Sequence, residues 1–177
     1  MDPTPFPAPE GEDKTNKTLT ALVLFLLKLT AVLVVVWVAL YFVFGVYRLA
    51  GNNMYPALRD GDLCVTYRLE EYHADDVVVY RMANGNIRFG RIIARGGDTV
   101  DGDEAGVMVN GSYRNEEIFY PTNMVDIALA LPVTLEPGQY MVLNDYREDL
   151  GDSRTYGVMN EDQLEGKVIF IFRRRGF

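Results

Sequence analysis

The sequence predicts an all-β domain carried on a single N-terminal transmembrane helix. Three observations lead there. One apolar run near the start is long enough to cross a bilayer: Leu29 to Phe44 carries no charge, and from Leu19 to Tyr47 the only charged residue is Lys28. Beyond it, short β-branched and apolar segments alternate with Gly, Asn and Asp turns, the pattern of strands joined by tight connections. No later segment has the length and periodicity of a second long helix.

The first segment, residues 1–18, is rich in Pro, Asp, Glu, Lys and Thr, with four prolines between Pro3 and Pro9. Such a composition cannot bury a core and is expected to be a disordered cytoplasmic tail. Residues 19–48 are expected to be the span, since about 20 apolar residues suffice to cross the hydrocarbon core. Lys28 can snorkel toward the headgroups. Trp37, Tyr41 and Tyr47 lie toward the far end, where aromatic rings favour the interface. The run is too long for the apolar part of a cleavable signal, and no small-x-small motif follows it cleanly. Lys14, Lys17 and Lys28 precede or enter the span, against Arg48 and Arg59 after it. The positive-inside bias therefore places the N-terminus in the cytoplasm and residues 49–177 outside, as a single-pass protein of the cell membrane.

Within 49–177 the strands are expected at Leu63–Leu69 after the turn Arg59-Asp60-Gly61-Asp62, at Val77–Met82, and at Ile87–Ala94 across the hairpin signal Asn84-Gly85. Val107–Val109 and Ser112–Arg114 flank a second such signal, Asn110-Gly111. Tyr140–Leu143 and Lys167–Arg173 complete the set. The formal net charge of −8 and the absence of a basic stripe argue against nucleic-acid binding. The Arg173-Arg174-Arg175 cluster reads as a solvated chain end. A single cysteine, Cys64, excludes an intramolecular disulfide framework. No metal or cofactor is expected.

Three segments resemble the type I signal peptidase family, in that family's order and spacing. The first is Gly51-Asn52-Asn53-Met54-Tyr55-Pro56-Ala57-Leu58 followed by Asp60-Gly61-Asp62, similar to the box of serine, methionine, any residue and proline. The second is Gly90-Arg91-Ile92-Ile93-Ala94-Arg95-Gly96-Gly97-Asp98, similar to the box that opens with lysine-arginine. The third is Asn144-Asp145-Tyr146-Arg147 with Asp152-Ser153-Arg154 behind it. The resemblance implies a fold of coiled β-sheets with its site near the membrane surface. It also implies a substrate peptide lying extended in a groove, paired with strand backbone.

The family hydrolyses peptides after small residues with a serine nucleophile and a lysine general base. The serine must lose its proton as it attacks, and the lysine must be neutral, which burial achieves by lowering its pKa. The resemblance places Asn53 at the nucleophile position and Gly90 at the general-base position. A carboxamide is a poor nucleophile, and glycine has no side chain. The expectation is that no catalytic pair is intact. Ala50, Gly51, Met54, Pro56, Leu58 and Phe89 match groove positions, and Arg91, Asp145, Arg147 and Arg154 match residues that buttress the site. Gly96, Asn144 and Tyr146 depart from the family pattern.

Replacement nucleophiles and bases are scarce. The serines are Ser112 and Ser153, the only histidine is His73, and the only lysine after the span is Lys167. Cys64 lies inside an apolar strand and reads as buried and inert. The resemblance therefore implies a peptide-binding assembly factor or chaperone for sortase-built pili of Gram-positive bacteria, acting on pilin, sortase or preprotein segments at the membrane. The alternative is a serine-type endopeptidase that removes signal peptides, through an unfamiliar dyad or as a deliberately inactivated form. On the sequence alone, Asn53→Ser with Gly90→Lys is a route to restoring cleavage.

Overall fold

The computed structural model describes residues 11–115 and 120–173, with side chains from Asn16 onward. The first ten residues of the expected tail, and Arg174 and Arg175, lie outside the described residues. Helix α1 runs Gly11–Val43. Its Asn16–Val43 part is long and apolar enough to cross a membrane, spanning about 42 Å at ~1.5 Å per residue. The hydroxyls of Thr20 and Thr30 donate to the carbonyls of Asn16 and Leu26, one turn back, at 2.8 and 2.9 Å. Those bonds hide two polar groups that hydrocarbon would not solvate.

The expected span boundaries move. The helix begins before residue 19, and Phe44–Arg48 is not helix but a strand, β1. β-Branched and aromatic residues in that stretch find a partner: Phe44 to Arg48 pair antiparallel with Tyr67 to Leu63 of β2 (Leu63–Tyr67). Apolar character alone does not separate a helix end from the strand that continues it, so hydropathy merged the two.

Among the described residues the β domain contains two sheets. The remaining strands are β3 (Val77–Arg81), β4 (Ile87–Arg95), β5 (Thr99–Asp103), β6 (Gly106–Val109), β7 (Ser112–Tyr113), β8 (Val133–Thr134), β9 (Gln139–Leu143), β10 (Met159–Asn160) and β11 (Leu164–Phe172). The larger sheet has the order β1-β2-β11-β3-β4-β9-β10, and the smaller β7-β6-β5-β8. Every expected strand is present, and β1, β5, β8 and β10 are additional. The short helix α2 (Ser153–Tyr156) starts from the N-cap Asp152, whose side chain accepts the Arg154 N–H.

Val77 to Tyr80 reads as a continuous apolar run rather than an alternating one because both faces of this strand are covered. Val78 and Tyr80 pack with Tyr72, Ile92, Tyr140, Val142 and Met159. Val79 packs on the opposite face with Leu49, Met54, Leu58, Cys64 and Phe89. A third cluster joins Ile93, Met141 and Leu143 to Val100 and Val107 of the smaller sheet. A register shift between Ile92 and Ala94 in the β4–β9 ladder places an extra residue there, which lets the adjacent Ile93 and Ala94 join the same cluster. The Asn110-Gly111 turn has φ of 54° and 78°, the two left-handed residues a tight two-residue hairpin requires.

Candidate functional site

The site forms where the loop between β1 and β2 meets β4 and the segment after β9. That loop is fastened at its base. Leu49 N–H donates to the Asp62 carbonyl and Gly61 N–H to the Leu49 carbonyl, both at 2.9 Å. Gly51 N–H donates to the Asp60 carboxylate at 2.8 Å, and Asp60 N–H to the Asn52 side chain at 3.1 Å. The Tyr55–Pro56 bond in this loop is cis. Met54 and Leu58, 0% and 1% exposed, anchor the loop from beneath.

These anchors place Asn53 against β4. Its side-chain amide donates to the Phe89 carbonyl at 2.9 Å and to the Asn144 side-chain oxygen at 2.8 Å. Its backbone carbonyl accepts the Tyr146 N–H at 2.9 Å. Phe89 is the residue directly before Gly90, so the two positions matched to a nucleophile and a base do come together. What meets there is a carboxamide with both N–H groups engaged and a residue without a side chain. Asn144 extends the chain of bonds, donating from its side chain to the Asp149 carbonyl at 3.0 Å and from its backbone to Asp152 at 2.9 Å.

The space beside Gly90 is filled. A β-carbon there would lie 2.4 Å from Val142 Cγ1, 3.2 Å from Tyr80 Cε1 and 3.4 Å from the Leu143 carbonyl oxygen. The first distance is more than 1 Å inside the ~3.5–4.0 Å at which carbon atoms pack favourably. The Tyr80 ring is fully buried, and among the described residues its hydroxyl finds no hydrogen-bond partner. Burial pushes its phenol well above the ordinary value. A lysine at 90 would therefore have to displace Val142 before its side chain could enter, which counts against the expected rescue.

The buttressing residues form two ion pairs. Arg91 grips Asp145 with both arms of its guanidinium, Nε to Oδ1 at 2.8 Å and Nη2 to Oδ2 at 2.6 Å, and Asp145 is 1% exposed. Arg154 and Asp152 are both fully buried. Arg154 reaches Asp152 from Nε and Nη2 at 3.0 and 2.8 Å. It also donates to the carbonyls of Arg147 and Asp149 at 2.8 and 3.0 Å. Arg147, itself buried, thus joins this network through its backbone. A buried charge is tolerated when paired and hydrogen-bonded in this way.

A cleft of about 330 Å³ opens beside Asn53, lined by Leu49, Ala50, Asn53, Asn86, Ile87, Arg88 and Phe89. A second, of about 420 Å³, is lined by Asn52, Tyr55, Arg59 and Tyr146. Of the expected groove residues, Ala50 and Phe89 line the first cleft. Gly51, Met54, Pro56 and Leu58 do not. Met54 and Leu58 point into the core with Cys64, because the apolar residues of a fastened loop are what hold it down. The sequence reading missed Asn144, Asn86 and Arg88. Asn144 carried a signal: it and Asn53 are both departures from the family pattern, and two carboxamides satisfy each other.

The substitute nucleophiles and bases are engaged elsewhere. Cys64 is buried, and burial, with Asp62 nearby, pushes its thiol up to about 11. Ser153 Oγ accepts the Val142 N–H at 3.0 Å, and Ser112 is exposed on β7. His73 is exposed and its Nδ1 lies 3.0 Å from the Glu71 carbonyl. Lys167 Nζ is 3.0 Å from Asp76 and 3.6 Å from Glu70. The hydrogen bond to Asp76 holds its proton more firmly, the reverse of what a general base needs. Among the described residues no cluster of His, Cys, Asp and Glu has the arrangement of a metal site.

Comparison with known proteins gives the family. Residues 22–173 match the family model described as signal peptidase, peptidase S26. Signal peptidase IB of Staphylococcus aureus (strain COL) is 28% identical over 167 residues, covering 84% of this chain and 87% of that protein. Signal peptidase I T of Bacillus subtilis (strain 168) is 28% identical over 159 residues, covering 80% and 82%. A crystal structure of a signal peptidase I from Enterococcus faecalis V583 superposes on 56% of this chain and 98% of its own, with a TM-score of 0.48 at 20% identity. With the family model matching well over half of its length, the chain belongs to the signal peptidase family, peptidase S26.

Proposed function

We propose that this chain is a membrane-anchored signal peptidase homologue that binds extended peptide segments and does not cut them. The observation that carries this reading is the state of the two positions matched to the dyad: the Asn53 amide is bonded to Phe89 and Asn144, and the place where a side chain at 90 would begin is filled by Val142 and Tyr80. Hydrolysis on this scaffold needs an oxygen that can give up its proton beside a neutral amine. A carboxamide facing a bare Cα supplies neither.

Binding needs no nucleophile. β4 pairs with β9 only from Arg91 onward, while β3 pairs with β4 as far back as Ile87. Met82 N–H donates to the Asn86 carbonyl at 2.9 Å, as Ile92 N–H does to Asp76. The even-numbered residues of β4 therefore direct their backbone groups to β3, and Ile87 and Phe89 direct theirs to the other side. That side borders the cleft; the Phe89 carbonyl there is taken by Asn53, so a peptide adding as a strand would pair with the Ile87 backbone and the Phe89 N–H. Helix α1 supplies the membrane anchor. A role beside sortase and pilin subunits in pilus assembly is the biological setting that fits a peptide-holding, non-cleaving homologue.

The test is to incubate the full chain, in detergent, with a fluorogenic signal peptide containing an Ala-x-Ala site, and to follow binding and cleavage together. Binding without product supports the reading. Turnover abolished by Cys64→Ala or His73→Ala overturns it.

A further inference from the structure

The cleft contains a cation that pairs with no carboxylate among the described residues. Arg88 lines the cleft. Its Nη1 donates to the Gly151 carbonyl at 2.6 Å, and its guanidinium lies 5.9 Å from the centre of the Tyr156 ring. The guanidinium occupies the space beside Gly151 that a β-carbon there would enter, so a side chain at 151 would push it aside. The nearby Asp149 carboxylate makes no direct ion pair with it; its Oδ1 accepts the Gly151 N–H at 2.8 Å. Arg91 and Arg154, by contrast, are each matched to an aspartate.

Position on the strand gives this cation its meaning. Side chains alternate along β4, so Arg88 shares a face with Gly90, the position matched to the general base. Where the family sets an amine that must be neutral, this chain sets a fixed positive charge one step along the same face. An extended peptide added to the Ile87–Phe89 edge presents every second side chain to that face.

We infer that Arg88 selects the bound segment, and that the preferred ligand is an extended peptide with an aspartate or glutamate facing Arg88. This rests on the peptide-binding reading above and adds its specificity. An arginine already oriented by stacking and by a carbonyl loses little freedom when it meets a carboxylate. A charge-assisted bond in a half-buried cleft is stronger than its neutral counterpart. Asn86 and Asn53 line the same cleft and bring no opposing charge.

The experiment uses the full chain in detergent micelles and decapeptides of alternating Ala and Thr, with a single Asp scanned through the ten positions. A matched set carries Asn instead, and fluorescence anisotropy gives the affinities. The expected result is one position, or two positions two apart, at which Asp binds about tenfold more tightly than Asn. That ratio falls toward one in Arg88→Gln and is partly kept in Arg88→Lys. Gly151→Ala, which displaces the guanidinium, also lowers it. High salt, about 1 M, reduces the ratio in the unaltered chain. Equal affinity for the two sets overturns the role of Arg88 and leaves peptide binding standing. A ratio that survives Arg88→Gln overturns it as well. Failure of every peptide to bind overturns both.

Discussion

Replacing Gly90 by alanine is the smallest perturbation that probes whether the space beside it has been built over. The added carbon would stand 2.4 Å from Val142 Cγ1, and Val142 has little freedom to retreat. It is 0% exposed and pairs with Ile92 in the β4–β9 ladder. Overpacking of this kind costs about 1–3 kcal/mol. Gly90 does not occupy a left-handed conformation, so alanine recovers roughly 0.4–1 kcal/mol by restricting the unfolded chain. The net expectation is a loss of about 1–2 kcal/mol, or roughly 3–8 °C in melting temperature. The assay is thermal or urea unfolding of the detergent-solubilised chain, followed by near-UV tyrosine circular dichroism. Val142→Ala removes the clashing atom, so the double variant should be about 1 kcal/mol more stable than the two single losses predict. A Gly90→Ala variant as stable as the unaltered chain would refute the claim that this space is filled.

Other expectations follow from the same network. Asn53→Asp turns the two bonds at Asn53 into encounters between a carboxylate and two acceptor oxygens, and should cost about 1–3 kcal/mol at neutral pH. The loss should shrink on acidification as the new carboxyl takes up a proton, which unfolding curves at two pH values would reveal. Arg154→Met leaves Asp152 buried and unpaired and should cost roughly 3–5 kcal/mol, measurable as a shift in urea midpoint. Tyr80→Phe removes a buried hydroxyl that has no partner among the described residues and should leave stability unchanged or raise it by up to about 1 kcal/mol. Cys64, pushed up to about 11 from 9.0, should resist alkylation in the folded chain at neutral pH. Because its folded value is raised, the stability tied to the neutral thiol is fully present below about 9 and lost as pH rises toward 11. Cys64→Ala should flatten that part of the pH–stability curve.

Much of the fold was readable because strand signals are local. Asn110-Gly111 marked its hairpin through the left-handed backbone it demands, and Val77–Tyr80 declared itself through β-branched residues. β1 was hidden because Phe44–Arg48 continues an apolar helix without punctuation, and only pairing with β2 distinguishes them. Thr99–Asp103 was not among the expected strands, since Asp101, Gly102 and Asp103 are residue types depleted in strands, yet β6 and β8 hold it in a sheet. At the site, the boxes pointed to Asn53 and Gly90, and the structure brings Asn53 against the carbonyl of the residue before Gly90. The bond between Asn53 and Asn144 was not legible, since it joins residues 91 positions apart in sequence. Nor was the filling of the space beside Gly90, which depends on where Val142 sits across the ladder. Met54 and Leu58 showed the opposite error: residues that shape a groove were taken as lining it.

The most direct test joins binding to turnover in a single sample. The full chain is mixed with a signal peptide bearing an Ala-x-Ala site, its association measured by anisotropy and the peptide then recovered for mass analysis. The structure leads us to expect saturable association with the peptide recovered intact. Recovery of two fragments split after the second alanine, in multiple turnovers per chain, would contradict it.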